Sequence, residues 1–346
     1  MARRRGKSRN SRTPGAARTF LALALLLALA AAGAAWLVLA PFGPEKETFV
    51  EIPVGSSTAE IGQLLQSAGV VRSQYAFDLF RLWKRGRLKA GEYRFDHPAP
   101  IVEVYARIRR GDVYTLTLAI PEGSNIFDIA TRVEEAGLGT RQQFIDAAEQ
   151  HTALVADLDP AAKTLEGYLF PDTYKFPRKA TPEQIAATMV RRFRVVSGQL
   201  GLKENVHQIV TMASLVERET AVPAERTLVA SVFQNRLQKK MPLMTDPAVI
   251  YGLELNNRWR GTLYKSDLTY NTAYNTYIHN GLPPGPIANP GARSLQAAME
   301  PASTRYLYFV AASADAQGHS LFAETLDEHN RNVAGYRRAL KKAEAQ

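Results

Sequence analysis

The chain has 346 residues, of which 46% are hydrophobic and 22% are charged, a composition typical of folded protein rather than of long disorder. The net charge of +10 invites a nucleic-acid interpretation, but seven basic residues and no acid lie in residues 1–18, leaving the remainder at only +3. The basicity therefore belongs to a tail and indicates no nucleic-acid partner, and the absence of cysteine excludes disulfides and thiol chemistry.

The first predicted element is a membrane-spanning helix. Residues 19–40 (TFLALALLLALAAAGAAWLVLA) carry no charge, and ~20 such residues in a helix cross a ~30 Å hydrocarbon core. Because the basic tail precedes this segment, the positive-inside rule predicts a cytoplasmic N-terminus and an extracytoplasmic (periplasmic) C-terminal region. A cleaved signal peptide is the alternative, but its apolar region is usually ~7–15 residues long, and Pro41 follows the candidate cleavage site.

An internal repeat follows the span. Residues 52–70 (IPVGSSTAEIGQLLQSAGV) and 120–138 (IPEGSNIFDIATRVEEAGL) align at a constant offset of 68. Each copy predicts a strand (49–52, 116–120), a Pro-x-Gly-Ser turn whose serine can cap a helix, and a second helix (73–86, 140–149). The pattern predicts two βαα units near 49–86 and 116–149, which serve either as spacers or as glycan-binding modules.

The remaining pattern mixes strands and helices. Residues 88–95 and 165–176 predict turn-rich strands, and amphipathic periodicity predicts helices at 182–198, 205–220 and 224–237. Residues 241–300 are expected to be loop-rich, before a hairpin of 306–313 with 319–324 and a final helix at 327–345. The predicted fold class is therefore α+β, with a tail (1–18), a transmembrane helix (19–40), a repeat region (41–160) and a catalytic domain (161–346).

The helix at 205–220 carries two candidate acids, Glu217 and Glu219. At 100° per residue they lie about 160° apart, on opposite margins of the apolar stripe, so both cannot enter one cleft. This geometry argues against the paired carboxylates of most glycosidases, and any chemistry would use one glutamate. The alternative is that both are boundary residues paired with Arg218 or Lys203. Nearby loops dense in Tyr, Asn, Pro and Gly favour a carbohydrate cleft, because aromatic rings and amides suit sugars.

Five motifs carry a family resemblance. In chain order they are LEGYLFPDTY, MASLVERET, TDPAVIYG, TAYNTY and GLPPGPIANPG. Together they resemble the YceG-like endolytic murein transglycosylases over the whole chain. The resemblance implies a LysM-like region where the repeats lie. It also implies cleavage of the β-1,4 MurNAc–GlcNAc bond in nascent peptidoglycan strands, leaving 1,6-anhydroMurNAc ends and terminating elongation, with cell-wall synthases as partners.

The same resemblance directs the choice of catalytic residue. In other lytic transglycosylases a helical catalytic glutamate is followed by serine, and Glu219-Thr220 is similar to that pair, so Glu219 is preferred to Glu217. Asp246, Tyr274, Asn275 and Tyr277 are candidates for binding sugar, and Glu166 for bracing the cleft, although each could simply hold a loop. No metal or other cofactor is expected. A hydrolytic muramidase and a non-catalytic peptidoglycan-binding scaffold for synthases are the alternatives.

Overall fold

The computed structural model describes residues 14–312 and 318–344, so most of the predicted basic tail and the last residues of the predicted hairpin strand and final helix lie outside the described residues. The helices are α1 (Pro14–Leu39), α2 (Thr58–Ser67), α3 (Gln74–Lys84), α4 (Ile101–Arg110), α5 (Ile126–Glu135), α6 (Arg141–Gln150), α7 (Pro182–Leu200), α8 (Val206–Glu219), α9 (Arg226–Gln238), α10 (Asp246–Leu255), α11 (Ala292–Met299) and α12 (Leu326–Glu344). The strands are β1 (Thr48–Ile52), β2 (Gly91–Phe95), β3 (Leu116–Ala119), β4 (Thr173–Phe176), β5 (Tyr308–Ala311) and β6 (Ser320–Ala323). They form three antiparallel pairs, β1–β2, β3–β4 and β5–β6.

The chain divides between Thr115 and Leu116 into two compact units. In the first unit, the β1–β2 hairpin packs with α2, α3 and α4 around a core of its own that includes Tyr93 and Phe77. Helix α1 contains a 22-residue segment, Arg18–Leu39, with a mean hydropathy of 2.4 and no buried part, long and apolar enough to cross a membrane. The predicted span coincides with this helix.

The second unit contains the second repeat copy together with α7 and α8. Strand β3 pairs with β4, and their side chains join α5, α6, α7 and α8 in one hydrophobic core. This division differs from the expected boundary near residue 160. The reason is that residues 116–150 have only a short strand and two helices of their own, and they bury their apolar faces against residues 165–210.

The two repeat copies share their local geometry. Gly55 and Gly123 take positive φ values of 88° and 78°, which glycine adopts without strain, and each ends the turn before its helix. The serines predicted as caps, Ser56 and Ser124, instead donate to the proline carbonyl three residues earlier, at 2.9 Å in both copies. The helices are capped one residue later, by capping boxes at Ser57 and Asn125. The cap prediction was therefore one residue early.

Most of the other predicted elements agree with the structure, although the strand predicted at 165–176 is confined to Thr173–Phe176 and α4 was not predicted. The helices predicted at 182–198, 205–220 and 224–237 are α7, α8 and α9, and the predicted terminal hairpin is β5–β6. Residues 241–300, expected to be loops, contain α10 and α11. The Pro and Gly content concealed α10, whose proline occupies the first turn, where a missing N–H costs no hydrogen bond.

Candidate active site

Helix α8 is held in place by polar contacts with the GLPPGPIANPG loop and with Asp159. Ser214 lies on its buried side, where Oγ accepts a hydrogen bond from the Ile287 N–H at 3.0 Å. At the start of the helix, His207 Nδ1 lies 2.7 Å from Asp159 and Nε2 lies 3.0 Å from the Pro284 carbonyl. The Ile287 N–H and the Pro284 carbonyl are backbone groups that need hydrogen-bond partners when they are buried, and α8 supplies both. These contacts therefore fix the GLPPGPIANPG loop against α8.

Glu217 is a structural carboxylate. Its Oε1 pairs with Arg226 Nη2 at 2.7 Å, and its Oε2 accepts from the Gly291 N–H at 2.9 Å. The side chains of this pair are 4% and 7% exposed, respectively. Neither Arg218 nor Lys203 is its partner, contrary to the alternative drawn from the sequence, and Arg218 instead donates to the Gly123 carbonyl at 3.1 Å. With both oxygens engaged, Glu217 has little capacity to exchange a proton with a substrate.

Glu219 differs from Glu217 in its contacts. Both residues are partly exposed, but within residues 14–312 and 318–344 no hydrogen bond or ion pair reaches the carboxyl group of Glu219. Burial raises the pKa of Glu219 from 4.5 to about 7; the negative charge of Asp246 adds to the rise, and the positive charge of Arg236 opposes it. The carboxyl is thus shielded enough to hold a proton near neutral pH, yet it retains an open side.

Asp246 reaches Glu219 from a different helix. It occupies the first turn of α10, where the helix dipole favours a negative charge. Its Oδ1 accepts a hydrogen bond from the Tyr277 hydroxyl at 2.6 Å, and the Thr245 N–H donates to Thr276 Oγ1 at 2.9 Å. The TDPAVIYG and TAYNTY motifs therefore form one rigid pair, and the structure brings Asp246 and Tyr277 together beside Glu219.

The two other predicted residues of the TAYNTY motif differ in exposure. Tyr274 is partly buried, packing edge-on against Tyr251 with ring centroids 5.0 Å apart. A Cβ on Gly252 would lie 2.5 Å from Thr272 Oγ1, so only glycine allows α10 to approach this loop so closely. Asn275 is 0% exposed, and its amide donates to the carbonyls of Leu268 and Tyr270 at 3.0 and 2.8 Å. Asn275 has no surface to offer a sugar, and its contacts are those of a loop-organising residue.

Glu166 is likewise enclosed. It is 2% exposed, and it accepts hydrogen bonds from the Ile126 N–H at 2.9 Å and the Asn289 amide at 2.8 Å. Burial raises the pKa of Glu166 to about 8, an increase that the hydrogen bonds from the Ile126 N–H and from Tyr251 limit. The geometry fits the bracing role expected from the sequence and leaves no room for contact with a ligand.

Two organising residues escaped the sequence interpretation. Asn289 is completely buried and bonds to Leu169, Ser124 and Glu166, joining the LEGYLFPDTY and GLPPGPIANPG motifs to the second repeat copy. Arg236 donates from Nε to the Leu307 carbonyl at 2.7 Å and places its charge beside Glu219. For Asn289, the only signal in the sequence is its place in the turn-forming run ANPG. For Arg236, the surrounding helical sequence gives no signal of a role beside Glu219. Among the described residues no group of three His, Asp or Glu is placed to hold a metal ion.

The fold and this site define a class of protein. An α+β unit that places one shielded acid at the end of a helix, beside an exposed carboxylate and a tyrosine from two neighbouring motifs, has the chemistry of a glycan-cleaving site. A family model described as "YceG-like family" matches residues 50–335. The chain belongs to the YceG-like family.

Individual relatives agree with this assignment. The chain is 35% identical over 308 residues to a protein of Bacillus subtilis named "Endolytic murein transglycosylase", covering 83% of this chain and 84% of that protein. It is 31% identical to a Streptococcus pneumoniae protein of the same name, covering 84% of this chain and 58% of the longer relative. A solved structure of a YceG-like protein from Listeria monocytogenes superposes with a TM-score of 0.54 at 31% identity, covering 83% of this chain and 99% of that one.

Proposed function

We propose that Glu219 is the single acid–base group of this chain, which is an endolytic lytic transglycosylase of peptidoglycan. One observation carries the assignment: of the two glutamates at the end of α8, only Glu219 has a free carboxyl with its pKa raised to about 7. Glu217 is held by Arg226 and Gly291. A general acid works best when its pKa lies near the operating pH, because both of its protonation states are then accessible within one turnover.

The proposed reaction uses this one proton twice. Glu219 begins protonated and donates its proton to the glycosidic oxygen, so that the bond between that oxygen and the anomeric carbon of MurNAc breaks. The resulting carboxylate then accepts the proton of the sugar's own 6-hydroxyl, whose oxygen bonds to the anomeric carbon and closes the 1,6-anhydro ring. Because the nucleophile is tethered to the substrate, neither an enzyme nucleophile nor an activated water is needed.

The neighbouring side chains have distinct roles in this proposal. Asp246 is exposed and negatively charged, so it can stabilise the oxocarbenium-like state by electrostatics, while Tyr277 orients it through the 2.6 Å hydrogen bond. Tyr274, in the same TAYNTY motif as Tyr277, is partly exposed and can offer part of its aromatic ring to a sugar. Asn275 and Glu166, being buried, act by holding the loops rather than by touching substrate.

The membrane and repeat features support a wider proposal. Helix α1 anchors the chain in the cytoplasmic membrane with its N-terminus inside, as the charge asymmetry around residues 19–40 favours. The two βαα copies are LysM-like modules that bind glycan strands. The turn geometry that they share supports a common ancestry of the two copies. An anchored endolytic enzyme would meet strands as synthases of the elongation machinery release them, and cutting there would end their growth.

The test is product analysis with matched variants. Purified sacculi are digested with the wild-type chain, Glu219→Gln and Asp246→Asn, and muropeptides are identified by mass spectrometry. The proposal predicts anhydro ends from wild type, none from Glu219→Gln at equal folded concentration, and anhydro ends at a lower rate from Asp246→Asn. Reducing ends from wild type would instead make Asp246 the base that positions water and the chain a muramidase. Full activity of Glu219→Gln would remove Glu219 from the mechanism.

A further inference from the structure

Helix α3 is apolar on two faces, only one of which is covered by the described part of the chain. Phe77 and Phe80 are buried in the core of the first unit. On the opposite side, four large side chains are between 63% and 77% exposed: Tyr75, Leu79, Leu82 and Trp83. At 100° per residue these four fall within an arc of about 100°, so they form one continuous face, here termed the outer face of α3. A helix that is apolar around most of its circumference requires an apolar environment on both sides.

The position of this face within the first unit identifies what covers it. Helix α3 packs beside the C-terminal end of α1, and an apolar groove of about 740 Å³ lies between them, lined by Leu37 and Val38 of α1 and by Leu79 and Trp83 of α3. The guanidinium of Arg72 stacks 4.4 Å from the Trp36 ring, tying the end of α1 to the start of α3. The outer face is therefore continuous with the surface of the apolar helix itself.

The charge of this segment completes the pattern. Residues 72–90 contain a single acid, Asp78, and six basic residues, namely Arg72, Arg81, Lys84, Arg85, Arg87 and Lys89. Lys84 extends along the outer face, with Nζ 4.2 Å from the Trp83 ring centroid. A helix with an apolar face, interfacial aromatic rings and a strong positive bias has the composition of helices that lie in the headgroup layer of anionic membranes.

We propose that α3 is a second membrane contact, lying in the anionic headgroup layer with its outer face toward the acyl chains. This inference rests on the proposed role of α1 as the membrane anchor. A single helix leaves the first unit free to rotate about its own axis, whereas an anchor and an adjacent interfacial helix together fix the orientation of that unit against the bilayer. Tyr75 and Trp83, with apolar rings and polar edges, suit the boundary between headgroups and acyl chains.

The test uses the native tryptophans of the full chain, which has three: Trp36, Trp83 and Trp259. Two double variants, Trp36→Phe/Trp259→Phe and Trp83→Phe/Trp259→Phe, leave Trp83 or Trp36 as the sole fluorophore. Each is reconstituted into phosphatidylglycerol–phosphatidylcholine vesicles whose acyl chains are brominated near the carbonyl end. Trp36 reports on the anchor and Trp83 on the outer face, so the two proposals are read separately.

The inference predicts that brominated lipid quenches both tryptophans, and that Leu79→Asn with Leu82→Asn reduces the quenching of Trp83 severalfold without changing that of Trp36. Replacing phosphatidylglycerol by phosphatidylcholine should weaken the quenching of Trp83 as well. Quenching of Trp36 alone would overturn the inference and leave the anchor intact. A Trp83 blue shift that grows with protein density but is insensitive to bromine would assign the face to a second copy. Loss of quenching at both positions would overturn the anchor and this inference together.

Discussion

Replacing Asp246 by asparagine should move the pH dependence of the reaction in a direction set by electrostatics. The pKa of Glu219 is about 7 in the folded chain, against 4.5 for an ordinary glutamate. At pH 7 about half of Glu219 is therefore protonated, compared with roughly 0.3% for an unperturbed glutamate, so the structure increases the acid form about 150-fold. Above pH 7 that fraction, and kcat/KM with it, should fall about tenfold for each pH unit.

The sign of the shift follows from the charges around Glu219. The carboxylate of Asp246 raises the pKa of Glu219, so its removal lowers that pKa and moves the alkaline limb of kcat/KM to lower pH. Because Asp246 also has a proposed electrostatic role, the maximal kcat/KM should fall as well. The informative quantity is therefore the pH at which kcat/KM falls to half of its maximum on the alkaline side.

The assay is the rate of anhydro-end formation on a soluble glycan strand, measured from about pH 5 to pH 9, the range over which the proposed acid titrates. Asp146→Asn is the matched control, because it removes the same charge from α6, where Asp146 accepts a hydrogen bond from Gln142, and it makes no contribution to the pKa of Glu219. The alkaline limb of kcat/KM in Asp146→Asn should stay near pH 7. An unmoved limb in Asp246→Asn, or one displaced to higher pH, would refute the reasoning.

Three further substitutions test the structural assignments by denaturation. The folded state raises the pKa of Glu219, so its stabilising contribution is complete below pH 4.5 and is lost as the pH rises through about 7. Glu219→Gln should therefore raise the free energy of unfolding at pH 8 by at most about 3.4 kcal/mol, and with it the thermal midpoint, and leave both unchanged at pH 4. Glu217→Gln should lower stability by about 3 kcal/mol, because buried Arg226 loses its 2.7 Å ion pair and keeps only the 3.4 Å pair with the half-exposed Glu122; an unchanged midpoint would contradict the importance of the Glu217 pair. Asn289→Ala should cost about 3 kcal/mol in urea titrations, since Glu166 and two backbone groups lose partners, and a loss under 1 kcal/mol, roughly the value of one hydrogen bond, would show that water replaces them.

Local patterns in the sequence predicted the elements that depend on local physics. The repeat offset of 68 anticipated both βαα copies, and helical periodicity separated Glu217 from Glu219 onto different sides of α8. The structure gives those two sides opposite environments, one with an arginine and one without a partner among the described residues. Periodicity could establish this separation because it depends only on the 100° step of a helix.

Non-local pairings account for what the sequence did not reveal. No local pattern indicates that Arg226, nine residues after Glu217, will neutralise it, or that Asp246 will arrive from α10 to raise the pKa of Glu219. The division of the chain at residues 115–116 was not indicated either, because the partner of β3 is β4, more than 50 residues further along the chain. Burial against distant segments, rather than composition, decides such features.

The measurement that tests the central claim most directly is a titration of the Glu219 carboxyl itself. Carbon-13 labelling of glutamate side-chain carboxyls, with Glu219→Gln to identify the resonance by its loss, allows the protonation of this one group to be followed by NMR in the absence of substrate. A midpoint near pH 7 is the predicted result. A midpoint near 4.5, the ordinary value for glutamate, would mean that Glu219 is ionised at neutral pH and cannot be the proton donor.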